Sequence, residues 1–304
     1  SHEGAPCTGS GVVSMALVSP IMGDKRSLEG TTALVTGSSG GIGAALAEGL
    51  AEQGAVVGLC ARREDRLGEV LERCRAHQPD CRSWVVDLAD LDGVVGFAER
   101  ADDELGGIDL LVNNAGMPKR RTVADLSVAE IDEVMALNYS SPVRLIMALL
   151  PRMQARGTEA HIVNISSVAA RLCPAGEAAY AASKAAVTAF SECLAIEVWD
   201  SPVSVHVVNP GVIDTELFTL PGNDPLKADI APEDPRIVVD PGLDQLRTGP
   251  SESSAPRPPD GSRVRGNRGR GPGAHRLLGI AAVAIAFAGK GASVSSGGFG
   301  RLRI

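Results

Sequence analysis

The sequence predicts an α/β fold with three layers, α/β/α, in which helices cover both faces of a doubly wound parallel sheet. Between residue 28 and about residue 208, short apolar runs alternate with longer segments of helical periodicity. The apolar runs are continuous and do not alternate with polar residues, which is typical of strands that are buried on both faces. Strands that alternate regularly with helices favour a parallel sheet wrapped by helices.

The elements follow one another in a regular β–α order. Strands are expected at Thr32–Thr36, 55–60, 83–86, 110–112, 161–165 and 203–208. Helices are expected at 42–53, 63–76, 94–105, 128–153 and 178–198. Farther along the chain, only the apolar stretch 277–288 could form an ordered element, either a helix or, within 279–288, a last strand.

Composition divides the chain into three parts. Residues 1–27 lack sustained periodicity and are expected to be an N-terminal extension, whereas residues 28–240 are expected to form the catalytic domain. Residues 241–304 contain 13 Gly and 6 Pro among 64 positions, together with many Arg. This composition is typical of low-complexity chain, so we expect an atypical, poorly ordered C-terminal tail.

Charge, cysteine content and hydropathy exclude several classes of protein. Residues 241–304 hold ten Lys and Arg against three Asp and Glu, so their net charge is +7. Because the whole chain has a net charge of −8, residues 1–240 have a net charge of −15. An acidic domain is not typical of nucleic-acid binding. The six cysteines and five histidines show no metal-ligand spacing. No apolar stretch approaches the ~20 residues of a membrane span, and no basic region precedes the N-terminal apolar stretch. We therefore expect a cytoplasmic protein with a small-molecule substrate, no metal, and neither nucleic acid nor membrane as partner.

A glycine-rich turn lies between the first strand and the first helix, with the sequence Thr36-Gly37-Ser38-Ser39-Gly40-Gly41-Ile42-Gly43. Glycines let the backbone approach a pyrophosphate, and the N–H groups of the helix N-terminus bind its charge. The motif alone is weak, because tight strand-to-helix turns also occur without a ligand. Its position favours a dinucleotide site with contacts from Gly37, Ser39, Gly41, Ile42 and Gly43.

The end of the second strand indicates which dinucleotide binds. An NAD site places Asp or Glu there for the ribose 2′-OH, whereas arginine accommodates the 2′-phosphate of NADP. Ala61 stands at that position and is followed by Arg62 and Arg63. A 2′-phosphate would gain a charge-assisted pair with the Arg62 guanidinium, so Arg62 is expected to select it and NADP(H) is favoured over NAD. The alternative is that both arginines are solvated residues of the next helix.

Tyr180 and Lys184 are candidate catalytic residues, because residues four apart share one face of a helix. A free phenol has a pKa near ~10, and a neighbouring ammonium should lower it. A tyrosine tuned in this way can exchange a proton with a substrate hydroxyl. Ser167 lies thirteen residues upstream at a strand end, where open α/β sheets bind ligands, and Ser166 is the competing candidate.

Taken together, these motifs resemble the short-chain dehydrogenase/reductase family over residues 28 to about 217. The glycine spacing resembles the family's TGxxxGxG turn, and Tyr-Ala-Ala-Ser-Lys its YxxxK motif. Asn113-Asn114-Ala115-Gly116 is similar to the family's NNAG, Asp87-Leu88 to its adenine-contacting pair, and Asn209-Pro210-Gly211-Val212-Ile213-Asp214-Thr215 to its nicotinamide-contacting turn. The resemblance implies a Rossmann-like fold and cofactor contacts from Asp87, Leu88, Asn114, Ala115, Gly116, Tyr180, Lys184, Pro210, Gly211, Ile213 and Thr215.

The resemblance also implies an activity, the transfer of hydride between the nicotinamide and a ketone or secondary alcohol by a homodimer or homotetramer. Tyr180 would be the acid or base, Lys184 would lower the tyrosine pKa and bind the nicotinamide ribose, and Ser167 would position the substrate oxygen. Asn138 corresponds to the residue that supports a proton-relaying water. The scarcity of aromatic residues near 169–177 and 219–230 suggests an aliphatic pocket.

The C-terminal part departs from the family, whose members continue with a substrate-binding loop, a helix and a seventh strand. Residues 219–233 could form the loop, but no convincing final helix follows. This leaves two alternatives to an active enzyme. One is a catalytically impaired NADP(H)-binding protein, and the other is an interaction protein that uses its basic tail.

Overall fold

One sheet of parallel strands organises the computed structural model, which describes residues 28–225, 232–239 and 282–284. Seven strands lie in the order β3-β2-β1-β4-β5-β6-β7, and each neighbouring pair is parallel. The strands are β1 Thr32–Thr36, β2 Val56–Ala61, β3 Arg82–Val85, β4 Leu110–Asn113, β5 Ala160–Ile165, β6 Val203–Asn209 and β7 Ala282–Ala284. The predicted doubly wound parallel sheet is confirmed.

Helices cover both faces of this sheet. They are α1 Gly41–Glu52, α2 Glu64–Arg75, α3 Leu91–Leu105, α4 Val128–Met135, α5 Ser141–Arg156, α6 Ala169–Leu172 and α7 Ala178–Glu197. Alternate residues of β1 point to opposite faces, so that Val35 packs with α1 and α2 while Leu34 packs with α3, α5 and α7. Two hydrophobic clusters with the sheet between them give the three predicted layers.

Local sequence explains where several helices begin and end. The Ser127 hydroxyl accepts from the backbone N–H of Glu130, whose carboxylate accepts in return from the backbone N–H of Ser127, so α4 begins at a capping box. α3 and α5 each end at a glycine with positive φ, Gly106 at 76° and Gly157 at 69°. Glycine takes up this left-handed conformation without the steric cost that a Cβ imposes.

The helix expected over 128–153 is instead two helices joined by a π-helical turn at Ala136–Ser140. The apolar periodicity runs through this turn, but Pro142 at the start of α5 is a sequence sign that a new helix begins there, and the expectation of one helix overlooked it. Single π-helical turns inside helices occur frequently at functional sites, and this one contains Asn138. The four-residue helix α6, which the periodicity did not predict, is too short to show a pattern.

The described residues beyond 225 add two short pieces. A helical turn at 236–239 buries Val238 and Val239 in the cluster that also holds Ile213. β7 falls within the predicted stretch 279–288 and extends the sheet beside β6, so the strand alternative is the one observed. The remaining residues of the expected tail and of the extension 1–27 lie outside the described residues.

The strand order positions the site. From β1 the chain proceeds outward through β2 and β3, and it then crosses to the other side of β1 to begin β4. At such a switch point the loops after neighbouring strands diverge and leave a crevice at the carboxyl ends, where open α/β sheets bind ligands.

Candidate active site

A cleft of about 440 Å³ lies at the carboxyl ends of the strands. It is lined by the glycine-rich turn, the loops after β2, β3, β4 and β5, one face of α7, and residues 210–217. Each residue predicted to contact the cofactor lines this cleft, except Gly43. Of the four predicted catalytic residues, Ser167, Tyr180 and Lys184 line it, whereas Asn138 lies behind its wall. Residues from separate parts of the chain are therefore brought to one site.

Close packing explains the glycines of the turn. Gly37 and Gly41 have φ of 67° and 55°, and a Cβ there would lie 2.8 Å from the Ala115 Cα and 2.9 Å from the Thr215 Cγ2. At Gly43 a Cβ would lie 2.4 Å from both the Asn114 Nδ2 and the carbonyl oxygen of Gly37. The turn is thus pressed against the loops after β4 and β6, and only glycine fits at these positions.

The N-terminus of α1 faces this crevice with its backbone donors. Its N-cap residue is Gly40, which has no side chain to accept from them, and the first turn contains no acidic residue. The first N–H groups of a helix lack intrahelical partners and carry a partial positive charge. An anionic group such as a pyrophosphate fits this end of the cleft, as the glycine motif predicted.

Thr36 connects β1 to the loop after β4, a role that the sequence did not indicate. Its hydroxyl donates to the carbonyl of Val112 at 3.2 Å and accepts from the backbone N–H groups of Asn114 and Ala115 at 2.9 and 3.0 Å. The Asn114 side chain donates in return to the carbonyl of Thr36 at 2.9 Å. These bonds fix the NNAG segment beside the glycine-rich turn.

Ser167, Tyr180 and Lys184 converge at the other end of the cleft. Ser167 lies close enough to the Tyr180 side chain to favour the phenolate by hydrogen bonding, which lowers the phenol pKa. The Lys184 Nζ donates to the carbonyl of Ile165 at 2.8 Å and lies 5.9 Å from the centroid of the Tyr180 ring. All three side chains come from the end of β5 or the first turns of α7, so the strand end and the helix face predicted from sequence do meet.

The geometry favours Ser167 over Ser166 as the residue beside the tyrosine. The Ser166 hydroxyl bonds to the carbonyl of Lys184 at 3.0 Å and to the Thr188 Oγ1 at 2.8 Å. It therefore binds β5 to α7 inside the core. Both serines line the cleft, but the Ser166 hydroxyl is used in packing, whereas Ser167 lies beside Tyr180.

The expected effect of the lysine on the tyrosine pKa is not observed. Burial raises the pKa of Tyr180 to about 12, and the hydrogen bond with Ser167 opposes that change only in part. Burial also lowers the pKa of Lys184 to about 8. The expectation of a depressed phenol pKa was wrong for this structure, because desolvation of the phenolate outweighs the favourable interactions.

The Asn138 side chain is held by hydrogen bonds to two neighbouring segments. Its Oδ1 accepts from the backbone N–H of Met117 at 2.8 Å, and its Nδ2 donates to the carbonyl of Met117 and the Ser183 Oγ, both at 3.0 Å. The side chain therefore holds the loop after β4 against α7. Gly116, which lines the cleft, lies next to both Asn138 and Lys184. A Cβ added to Gly116 would lie 3.2 Å from the Asn138 Oδ1 and 3.4 Å from the Lys184 Nζ.

The two arginines after β2 are placed differently. Arg62 lies 3.8 Å from a carboxylate oxygen of Asp87, whereas Arg63 reaches back to the glycine-rich turn, with its Nη2 3.1 Å and its Nε 3.3 Å from the Ser39 Oγ. The sequence assigned the 2′-phosphate chiefly to Arg62. The structure places Arg63 nearer the phosphate-binding turn, and it adds Glu216, which pairs with both Arg63 and Arg66.

The substrate end of the cleft has an aliphatic wall and one charged pair. Its apolar lining includes Leu137, Leu172, Pro174, Leu217 and Leu220. Arg120 lies near Glu177, where burial raises the carboxyl pKa and the guanidinium opposes that change. The backbone N–H of Arg120 donates to the Asn223 side chain at 2.7 Å, and its Nε donates to the carbonyl of Asp224 at 2.8 Å. Composition had suggested the aliphatic wall, but it gave no sign that Arg120 would bind the segment at Asn223 and Asp224.

Two further searches cover only the described part of the chain. Within it, no cluster of three or more His, Cys, Asp or Glu side chains could bind a metal ion. Nor does any helix there combine the length and apolar character that crossing a membrane requires.

Comparison with known proteins identifies the family. The model of the short chain dehydrogenase family matches residues 31–223. The probable oxidoreductase EphD of Mycobacterium tuberculosis is 34% identical over 234 residues, which are 75% of this chain but only 40% of EphD. RhlG of Pseudomonas aeruginosa, solved with NADP, superposes with a TM-score of 0.65 at 33% identity, covering 73% of this chain and 91% of RhlG. A short-chain dehydrogenase of Sphingobium yanoikuyae, solved with NADPH, gives 0.65 at 31% identity, covering 70% and 82%. The chain therefore belongs to the short-chain dehydrogenase/reductase family.

Proposed function

We propose that this protein is an NADP(H)-dependent oxidoreductase that transfers hydride between the nicotinamide and the carbonyl carbon of a ketone or the matching secondary alcohol. One observation supports this above the others: Ser167, Tyr180 and Lys184 meet at one end of a cleft whose other end holds Arg63 beside the glycine-rich turn. The complexes of RhlG with NADP and of the Sphingobium enzyme with NADPH support the choice of cofactor.

The chain's own residues suit a dinucleotide phosphate. The backbone N–H groups at the start of α1 would hold the pyrophosphate, and Arg63 with Arg62 the 2′-phosphate. Asp87 and Leu88 line the cleft where the adenine would lie, and Ile213 and Thr215 line it where the carboxamide would lie. Lys184 would bind the nicotinamide ribose.

The nicotinamide, when bound, supplies or accepts the hydride. Tyr180 donates a proton to the substrate oxygen in reduction and removes it in oxidation. Ser167 donates a hydrogen bond to the same oxygen and positions it beside the phenol. A pKa raised to about 12 keeps the Tyr180 phenol protonated at neutral pH, which suits its action as the acid in reduction.

The test is NADPH consumption with a panel of aliphatic ketones by the wild-type chain and the Tyr180→Phe variant. We expect the variant to lose activity by about 10²- to 10⁴-fold, because phenylalanine has no proton to donate. Titration of NADPH fluorescence should give nearly equal binding by both proteins. Binding without turnover by the wild type would favour an impaired cofactor-binding protein, and undiminished turnover by the variant would contradict the proposed mechanism.

We further propose that the protein is a homodimer or homotetramer. Met147 on α5 and Ile196 on α7 are apolar side chains that are 67% and 66% exposed in the single chain. Association of copies would remove exposed apolar side chains such as these from water. Light scattering of the purified chain measures this directly, and a monomer over a broad concentration range would contradict it.

A further inference from the structure

Glu216 occupies the cofactor end of the cleft in a way that the proposed function does not require. It begins the 3₁₀ turn Glu216–Phe218 after β6, and its two carboxylate oxygens pair separately with the Nη1 atoms of Arg63 and Arg66. Arg63 simultaneously donates to Ser39 of the glycine-rich turn. Three separate segments thus meet at one cluster, Ser39–Arg63–Arg66–Glu216.

The members of this cluster are accessible and charged. The side chains of Arg63, Arg66 and Glu216 are 43%, 45% and 50% exposed, and Ser39, Arg63 and Glu216 line the cleft. The arginines lower the pKa of the Glu216 carboxyl, so it remains ionised at neutral pH. A carboxylate that accepts from two guanidinium groups occupies the kind of donor set that a phosphate group uses.

We propose that Glu216 is a cofactor-specificity residue whose carboxylate holds the arginine site that the 2′-phosphate of NADP(H) would occupy, and which must be displaced when that phosphate binds. This inference rests on the proposed NADP(H)-dependent function. A phosphate beside a carboxylate is repelled by it, so Glu216 weakens the binding of NADP(H). NAD(H) carries an uncharged hydroxyl at that position and does not meet this repulsion.

The displacement requires only a side-chain rotation. The backbone carbonyl of Glu216 accepts from the Thr219 N–H at 3.0 Å and from the Thr219 hydroxyl at 3.1 Å, so the turn is held independently of the carboxylate. Substituting the Glu216 side chain should therefore leave the fold of the turn unchanged. This allows the charge to be tested separately from the structure.

The experiment measures the Kd of NADPH and of NADH by fluorescence titration for the wild type, Glu216→Gln and a control. The control is Glu48→Gln, which removes the same charge from a surface pair with Arg73 in which the Arg73 Nε and Glu48 Oε1 are 2.9 Å apart. Glu48 does not line the cleft. Glu216→Ala is a second variant that removes the carboxylate without introducing an amide.

We expect both Glu216 variants to bind NADPH about three- to tenfold more tightly than the wild type, as the loss of one exposed charge interaction allows. NADH binding should change by less than about twofold, and Glu48→Gln should change neither constant appreciably. Weaker NADPH binding by both variants, or equal changes for the two cofactors, would overturn the inference. Absence of NADPH binding by the wild type would instead count against the proposed function itself.

Discussion

Tyr180 and Lys184 show how strongly burial decides the behaviour of a single side chain. Lys184 is buried and Tyr180 is half-buried at the wall of the cleft, so each is shifted toward its uncharged form. The tyrosine pKa rises to about 12 and the lysine pKa falls to about 8. Ser167 acts in the opposite direction, because its hydrogen bond lowers the phenol pKa. The phenol is therefore held as a proton donor at neutral pH, and its use as a base depends on pH.

This dependence predicts different pH profiles for the two directions of the reaction. From about pH 6 to about pH 8 the phenolate fraction rises about tenfold per unit, because the range lies below the raised pKa of Tyr180. The kcat/KM for alcohol oxidation should rise with pH over this range, and that for ketone reduction should stay level. Lys184, whose pKa is about 8, is almost fully charged near pH 6 and about half charged near pH 8.

Initial rates with NADP and an alcohol, and with NADPH and the matching ketone, check this expectation. If oxidation levels off and reduction begins to fall at a shared midpoint near neutral pH, the phenol pKa is depressed as the sequence had suggested, and the dominance of burial is refuted.

The position of helix α1 depends on a close contact at Gly43. It begins at the glycine-rich turn, and Gly43 within its first turn lies against Gly37 and Asn114. The break between α4 and α5 is the second special element, because its π-helical turn places Asn138 where the side chain bonds to Met117 and Ser183. In both places helix geometry fixes the loop after β4, and this loop forms one wall of the cleft.

Two helical glycines give a matched test of this packing. Gly43→Ala places a methyl group 2.4 Å from two neighbouring atoms and should lower the free energy of unfolding by about 1–3 kcal/mol. Gly68→Ala on α2 has nothing within 4 Å of the new Cβ, so it should raise the free energy of unfolding by about 0.5–1 kcal/mol through helix propensity. Urea denaturation measures both changes. Equal effects of the two substitutions would show that the contact at Gly43 is not restrictive.

The molecule as a whole is stabilised by two hydrophobic clusters, one on each face of the sheet. One polar feature interrupts the sheet interior away from the cleft. His161 on β5 and His206 on β6 are neighbours, with Nδ1 and Nε2 3.2 Å apart. Burial, together with the neighbouring His161, lowers the pKa of His206 to about 3. Protonation of this ring therefore opposes folding of the entire domain.

The sign of the effect follows from the depressed pKa. An unfolded histidine titrates near ~6.5, so the stability contributed by neutral His206 is complete above that pH and is lost as pH falls toward 3. At about pH 5 the loss should reach about 2 kcal/mol relative to neutral pH. His206→Phe cannot be protonated and should reduce the acid sensitivity of Tm, whereas substitution of the exposed His77 by Phe should not. An unchanged acid sensitivity of Tm in His206→Phe would contradict this assignment.

The fold could be predicted from the sequence because strands and helices each leave a pattern within a short stretch of chain. Continuous apolar runs such as Thr32–Thr36 identified the six strands up to residue 209, to within about two residues, and the order of elements implied the parallel sheet. The same sequence brought out the glycine-rich turn, the YxxxK pair and Ser167, since each is a short pattern at a strand or helix end. Apolar periodicity alone did not show the interruption at Ala136–Ser140, whereas Pro142, which is favoured at the first positions of a helix, was a signal that could have shown it.

The sequence by itself therefore determined the layers of this protein, the edge of the sheet at which the candidate site lies and half of the residues that line the cleft. Tertiary structure alone decided that Arg63 and not Arg62 contacts the glycine-rich turn, that Glu216 joins it, and that burial raises the Tyr180 pKa. The physical reason is distance along the chain: Glu216 is 153 residues from Arg63. Desolvation and charge pairing depend on which distant segments fold together, and no local pattern records that.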